Sequence, residues 1–355
     1  MSEVYIFDGH NDTITRLLPM GAAGLDGFRN GRSDIHLDLP RARAGGLRGG
    51  MFAICVPSKA ADGGEFSPQP ILAAEGYEIP FAPPCDPSDA QRFTIIAMGK
   101  LFRLIEASGG EMRLARTADE VAAAFREGTL AVVLHFEGAE AIDPDLDALH
   151  VFYAAGLRSL GIVWSRPNAF GYGVPFRLPA SPDIGPGLTP AGQELVRACN
   201  HLGILIDLAH LNERGFWDVA ELSTAPLVST HSAAHALCPS ARNLTDVQLD
   251  AIGASGGVVG ITFHVPDLRT DGRFDPHTPL DEIVRHVEYV ARRIGVAHVA
   301  LGSDFDGALI PTAVGDVAGL PRIVEALREH GFDDSEIRQI AHENWLRVLQ
   351  QTWRS

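Results

Sequence analysis

Short apolar runs recur along this chain, separated by stretches in which apolar and polar positions alternate with helical spacing. The runs fall at 4–8, 50–56, 130–136, 158–164, 203–208, 226–230, 257–263 and 299–303. They are nearly continuous, as expected for parallel strands buried on both faces. Helix punctuation lies between them. Thr189-Pro190 offers an N-cap with Pro at the first helical position, and Gly203 offers a stop. Thr278-Pro279 and Gly295 repeat that pair, with Leu280, Ile283, Val284, Val287, Ala291 and Ile294 along one helical face. Eight strands alternating with helices predict an α/β chain folded as a (β/α)8 TIM-type barrel, with residues 1–355 forming one domain. Residues 316–353 read as two or three further helices at the C-terminal end.

Two segments are too long for simple connections. Residues 57–90 are rich in Pro, Gly and Asp, and residues 165–188 run SRPNAFGYGVPFRLPASPDIGPGL. Each follows a strand, which puts both long βα loops at the C-terminal end of the barrel, where barrel enzymes carry their sites.

Ligand-type residues collect at the same ends. His10 and Asp12 close the first strand two positions apart, so in an extended segment they point the same way. Glu137 ends the third, His210 the fifth and His231 the sixth, while Asp304 and Asp306 follow the eighth. Taken singly, each is ordinary. Groups of this kind gathered at one rim would be costly to bury without a partner, and divalent cations remove that cost. Imidazole mixed with carboxylate, without thiolate, suits zinc, with manganese, cobalt or iron as alternatives. His10 and Asp12 can hold one ion and His210 and His231 a second, with Glu137 bridging the two.

Composition narrows the partners. Of 355 residues 46% are hydrophobic, and the formal charge is -16. So acidic a chain argues against nucleic acid and against anionic membranes as partners. No run is long and apolar enough for a transmembrane helix, and MSEVYIFDGH carries no secretory pattern, so a cytoplasmic location is expected. Cys55, Cys85, Cys199 and Cys238 are widely spaced and read as free thiols.

The motifs DGHND (8–12), Glu137-Gly138, IDLAH (206–210), STHS with Arg242-Asn243 beyond it, and GSDFDG (302–307) occur in order along essentially the whole chain. In this the sequence resembles the renal (membrane) dipeptidase family. The resemblance implies a zinc dipeptidase and usually a homodimer, with members often accepting a D-residue at the C-terminal position. It implies two zinc ions, one on His10, Asp12 and Glu137 and the other on Glu137, His210 and His231. It further implies attack by a metal-bridging hydroxide with Asp304 moving the proton, and Arg242 contacting the substrate carboxylate. On spacing alone Asp306 remains an alternative base. One departure stands out: the family's oxyanion-stabilising histidine after the fourth strand is replaced by Trp164, which leaves Trp164 lining the substrate site and Arg166 and Asn168 as nearby substitutes. His135 shares a strand face with Glu137 and reads as a buried histidine with one hydrogen bond. Two other readings compete: another binuclear-metal amidohydrolase acting on an N-acyl amino acid, cyclic amide or lactone, and a non-catalytic scaffold. Arg242 favours a substrate with a free carboxylate, and Asp304 is superfluous in a scaffold.

Overall fold

All eight apolar runs become parallel strands: β1 Ile6–Asn11, β2 Leu47–Cys55, β3 Leu130–Glu137, β4 Leu157–Gly161, β5 Leu205–Asp207, β6 Val228–Ser232, β7 Val258–Ile261 and β8 Val299–Leu301. These elements come from a computed structural model that describes residues 4–60, 64 and 66–354. The strands pair in chain order from β1 to β8. The ring closes where Asp12 N–H donates to Phe305 O at 2.8 Å and Asp304 N–H donates to His10 O at 2.9 Å. Asp8 seals the seam by accepting from both the backbone N–H and the hydroxyl of Ser303, each at 2.7 Å. The fold is a (β/α)8 barrel, as the apolar pattern predicts.

Helices cover the outside. Pro190–Leu202 begins on Thr189, whose hydroxyl accepts from Gly192 N–H, and ends at Gly203 in the left-handed conformation, φ 74°. The other expected start is late by two residues. The helix there is Asp281–Ile294, with no side-chain cap, because the Thr278 hydroxyl instead donates to Asp275 O in the preceding turn. After β8 come Leu320–Glu329 and then Asp334–Arg338 and Asn344–Thr352, joined through a π-helical turn at Gln339–Glu343. The last helix drives Trp345 into the barrel, fully buried, where its indole N–H donates to Leu301 O at 3.0 Å. Beside it the strands approach the Thr230 carbonyl so closely that a Cβ on Gly260 or Gly302 would lie 2.0 or 1.9 Å from that oxygen. Only glycine fits there.

The two long loops are less irregular than the sequence suggests. In the first, Ile71–Ala73 and Gly76–Glu78 form a hairpin, and Gly76–Glu78 also pairs antiparallel with Arg177–Leu178 of the second. The loops thus make one small sheet. Residues 61–63 and 65 of the first loop lie outside the described residues. All four cysteines are free thiols, and no described helix is long and apolar enough to cross a membrane.

His286 ties the outer layer to the loop after β6. Its Nδ1 accepts from Ala234 N–H at 3.0 Å and its Nε2 donates to Leu268 O at 2.9 Å. Burial pushes this imidazole down to about 4. A ring that must be neutral when folded stabilises the native state fully above its unfolded value near 6.5, and that stability is lost as pH falls towards 4. His286→Gln should therefore shrink the difference in unfolding free energy between about pH 7 and about pH 4.5 by roughly 2 kcal/mol. Urea titrations at the two pH values measure it, and an unchanged difference would assign the acid sensitivity elsewhere.

Candidate metal centre

Each strand end delivers its side chain to one place. His10 and Asp12 leave β1 and the turn after it, Glu137 ends β3, His210 stands three residues past β5, and His231 is in β6. Glu137 Oε1 lies 2.9 Å from His210 Nε2, 3.4 Å from His231 Nε2 and 3.7 Å from His10 Nε2. The Nε2 atoms of His210 and His231 are 3.0 Å apart. His10 Nε2 is also 3.4 Å from Asp12 Oδ2. One ligand-type atom each from His10, Glu137 and His231 falls within 4.8 Å of the others, and the same holds for His10, Asp12 and Asp304. The structure therefore brings together every ligand-type residue that the sequence singles out except Asp306.

Asp306 is engaged elsewhere. Its carboxylate accepts from the Thr13 hydroxyl at 2.7 Å and from His36 N–H at 2.5 Å. Four non-glycine residues among those described have positive φ, and three of them, His210, Asp304 and Asp306, belong to this rim. Left-handed backbone at non-glycine residues costs on the order of 1 kcal/mol or more and persists where the surroundings hold it. Here it aims His210 and Asp304 inward.

Hydrogen bonds fix the rings. The Ser165 hydroxyl meets His210 Nδ1 at 2.8 Å. The Thr230 hydroxyl donates to Asp207 Oδ2 at 2.6 Å, so it accepts from His231 Nδ1–H at 2.9 Å. Both arrangements leave Nε2 for the centre. His135 makes its one bond to Ser159 at 2.9 Å, with its other nitrogen 3.7 Å from Asp207. Asp207 and Thr230 lie in the IDLAH and STHS motifs, but their part in orienting His231, like that of Ser165 behind His210, shows only in the tertiary contacts.

The electrostatics call for a cation. Burial alone would raise the Glu137 carboxyl, yet His10, His210 and His231 hold it well below the usual carboxylate range. Burial alone would lower His10, but Glu137, Asp12 and Asp304 draw it up to about 10. Burial and neighbouring positive groups push His210 down to about 4 and His231 well below its ordinary value. A single proton on His10 thus balances several buried acceptors. Both ring nitrogens of His10 and Asp12 Oδ1 are buried without a hydrogen-bond partner. Orphaned ligand-type atoms of this chemistry fit a divalent cation, which would take the place of the His10 proton.

Arg242 lies beside the centre, buried, with Nη2 donating to His231 O at 3.1 Å and Nε free of any partner. The nearby Asp246 is engaged instead with Arg293 at 2.9 Å and Tyr289 at 2.7 Å. Trp164 lies past the end of β4, its ring 5.9 Å from His210 and 5.6 Å from Phe176. Arg166 is fully buried and committed to Glu140, Ser58 and Val56 O at 2.7–2.9 Å. Asn168 donates to Ile162 O at 2.8 Å and accepts from Phe170 and Gly171 N–H. Both are thus engaged with the scaffold rather than free to substitute for the family histidine that Trp164 replaces, contrary to the sequence expectation.

Comparison with known proteins points the same way. The model of the membrane dipeptidase family, peptidase family M19, matches residues 1–354. A metallo peptidase from Rhodobacter sphaeroides, crystallised with a phosphinate mimic of the dipeptide L-Ala-D-Ala, is 47% identical with a TM-score of 0.93, covering 99% of this chain and 100% of that one. A protein from the pqqA 5' region of Klebsiella pneumoniae is 51% identical over 253 residues, 71% of this chain and 93% of that one. Dipeptidase tcpJ of Claviceps purpurea is 29% identical over 353 residues, 97% of this chain and 76% of that one.

The hydroxyl relay can be tested without any substrate. Thr230→Val should weaken metal binding by about 10- to 100-fold, measured by competition with a coloured chelator, while Thr230→Ser retains it. Equal affinity in Thr230→Val would mean that Asp207 and Thr230 do not orient His231.

Proposed function

The chain belongs to the membrane dipeptidase family and is a peptide-bond hydrolase, and from that premise we propose that it is a zinc-dependent dipeptidase whose site is the cluster around Glu137. The observation that carries this reading is the convergence of three imidazole Nε2 atoms on one Glu137 oxygen, all within 3.7 Å, with Asp304 and Arg242 beside them. Two zinc ions would be held there, one by His10, Asp12 and Glu137 and the other by Glu137, His210 and His231. When bound, such a pair supplies Lewis acidity and a nucleophile at neutral pH.

The residues do the rest. Asp304 takes the proton of the attacking water and returns it to the leaving amine. Burial raises its carboxyl, although His10 and His264 oppose that rise. Arg242 grips the C-terminal carboxylate through the guanidinium edge that the His231 carbonyl leaves free. That grip limits the substrate to short peptides. Trp164 and Phe176 form an aromatic wall for a substrate side chain. The mimic bound by the Rhodobacter relative supports acceptance of a C-terminal D-residue. With this reading go a homodimer, a cytoplasmic location and a dipeptide as the small-molecule partner.

Zinc-loaded protein should release amino acids from a panel of L,L- and L,D-dipeptides, and a chelator should abolish release. Asp304→Asn should lower kcat by about 10²- to 10⁴-fold with the metal retained. Arg242→Ala should raise KM by about tenfold or more. A metal-loaded protein that spares every dipeptide but cleaves an N-acyl amino acid, cyclic amide or lactone would overturn the substrate assignment.

A further inference from the structure

Amide hydrolysis builds negative charge on the carbonyl oxygen, and a donor aimed at that oxygen is worth more in the transition state than in the ground state. Trp164 supplies at most one neutral indole N–H. Arg166 and Asn168 have their donors committed to the scaffold. Another group faces the reaction space. His264 follows β7 at the catalytic rim, its side chain only 13% exposed. Its Nδ1 lies 2.9 Å from Asp267 Oδ2. Asp267 is itself buried and takes a second bond at 2.7 Å from the Ser240 hydroxyl. Burial would raise the Asp267 carboxyl, but His264, Arg242 and Ser240 hold it below its ordinary range, so it is an anion.

The position of His264 relative to the centre is also defined. The Phe176 ring makes T-shaped contacts with both His264, at 6.2 Å, and His210, at 5.9 Å. His264 is also, with His10, one of the groups that oppose the burial-driven rise of the Asp304 carboxyl. It therefore lies on the catalytic rim, sharing the Phe176 ring with the ligand-type His210. The carboxylate behind Nδ1 leaves Nε2 as the ring's only free nitrogen. A proton there makes an imidazolium whose charge Asp267 balances, as a buried carboxylate does behind a catalytic histidine.

We propose that His264 Nε2–H donates to the oxyanion formed at the scissile carbonyl, with Asp267 holding the ring in place. The proposal rests on the dipeptidase reading. It gives the oxyanion role to a residue after the seventh strand in a chain that has an indole after the fourth. Sequence reading passed over His264 because it lies in no motif and Phe263 before it reads as core.

Two variants separate the ring's two nitrogens. His264→Asn keeps an amide where Nδ1 meets Asp267 and has no atom at Nε2. His264→Gln places a donor near Nε2 and gives up the bond to Asp267. For metal-loaded His264→Asn, kcat on a dipeptide should fall by about 10²- to 10³-fold with KM changed less than about threefold. Its affinity for a phosphinate dipeptide analogue, whose tetrahedral phosphorus carries the equivalent oxygen, should fall by a similar factor. His264→Gln should keep more of both. Metal content and thermal midpoint serve as folding controls for each variant. Unchanged kcat and phosphinate affinity in His264→Asn, or a rise in KM alone, would overturn the proposal while leaving the dipeptidase reading intact. A wild-type protein inactive on every dipeptide would instead remove the reading on which it rests.

Discussion

The structure turns on one buried carboxylate. Glu137 ends a strand whose eight residues are all buried, and three imidazoles meet one of its oxygens. Removing that many polar groups from water costs several kcal/mol apiece unless something of opposite charge joins them. Nothing in the packing of a barrel needs them there. Their presence makes sense as a site for cations, and the neighbouring features support that use. Ser165 and Thr230 fix two of the rings, and left-handed backbone at His210 and Asp304 turns side chains towards the centre.

The barrel makes this convergence possible. Parallel strands in chain order present all their C-terminal ends to one rim, so residues hundreds of positions apart become neighbours. Closure between β1 and β8 matters most, because it puts Asp304 beside His10 through the Asp304 N–H to His10 O bond. Asp8, two residues before His10, holds that seam through Ser303. The DGHND motif thus combines a closure residue with two ligand-type residues. At the other end Trp345 fills the barrel, so the same strands that carry chemistry at one rim rest on a packed plug.

Much of this was legible in the sequence, for a physical reason. Strands buried on both faces must be apolar throughout, so all eight barrel strands show as runs, and the Thr189 cap and Gly203 stop show because backbone ends demand particular residues. The ligand-type residues show because charge next to an apolar run is unusual. Other features left no such mark. The hairpin Ile71–Ala73 with Gly76–Glu78 is short, and Ile71 and Leu72 are exposed. Thr278 looks like a helix cap but closes the turn before it. Asp304 and Asp306 are alike in spacing, and only tertiary contacts to Thr13 and His36 divert the second. Arg166 looks available beside Trp164 until its pairing with Glu140 is seen. His264 gains its meaning from Asp267 and Phe176 beside it.

The account's central claim is a bridged pair of ions on Glu137. An anomalous difference map from crystals of the zinc-loaded protein, collected at the zinc edge, tests it most directly. The account predicts two peaks roughly 3.5–4 Å apart on either side of Glu137, one against His10 and Asp12 and the other against His210 and His231. A single peak, or zinc bound away from Glu137 with its carboxylate unliganded, would contradict it.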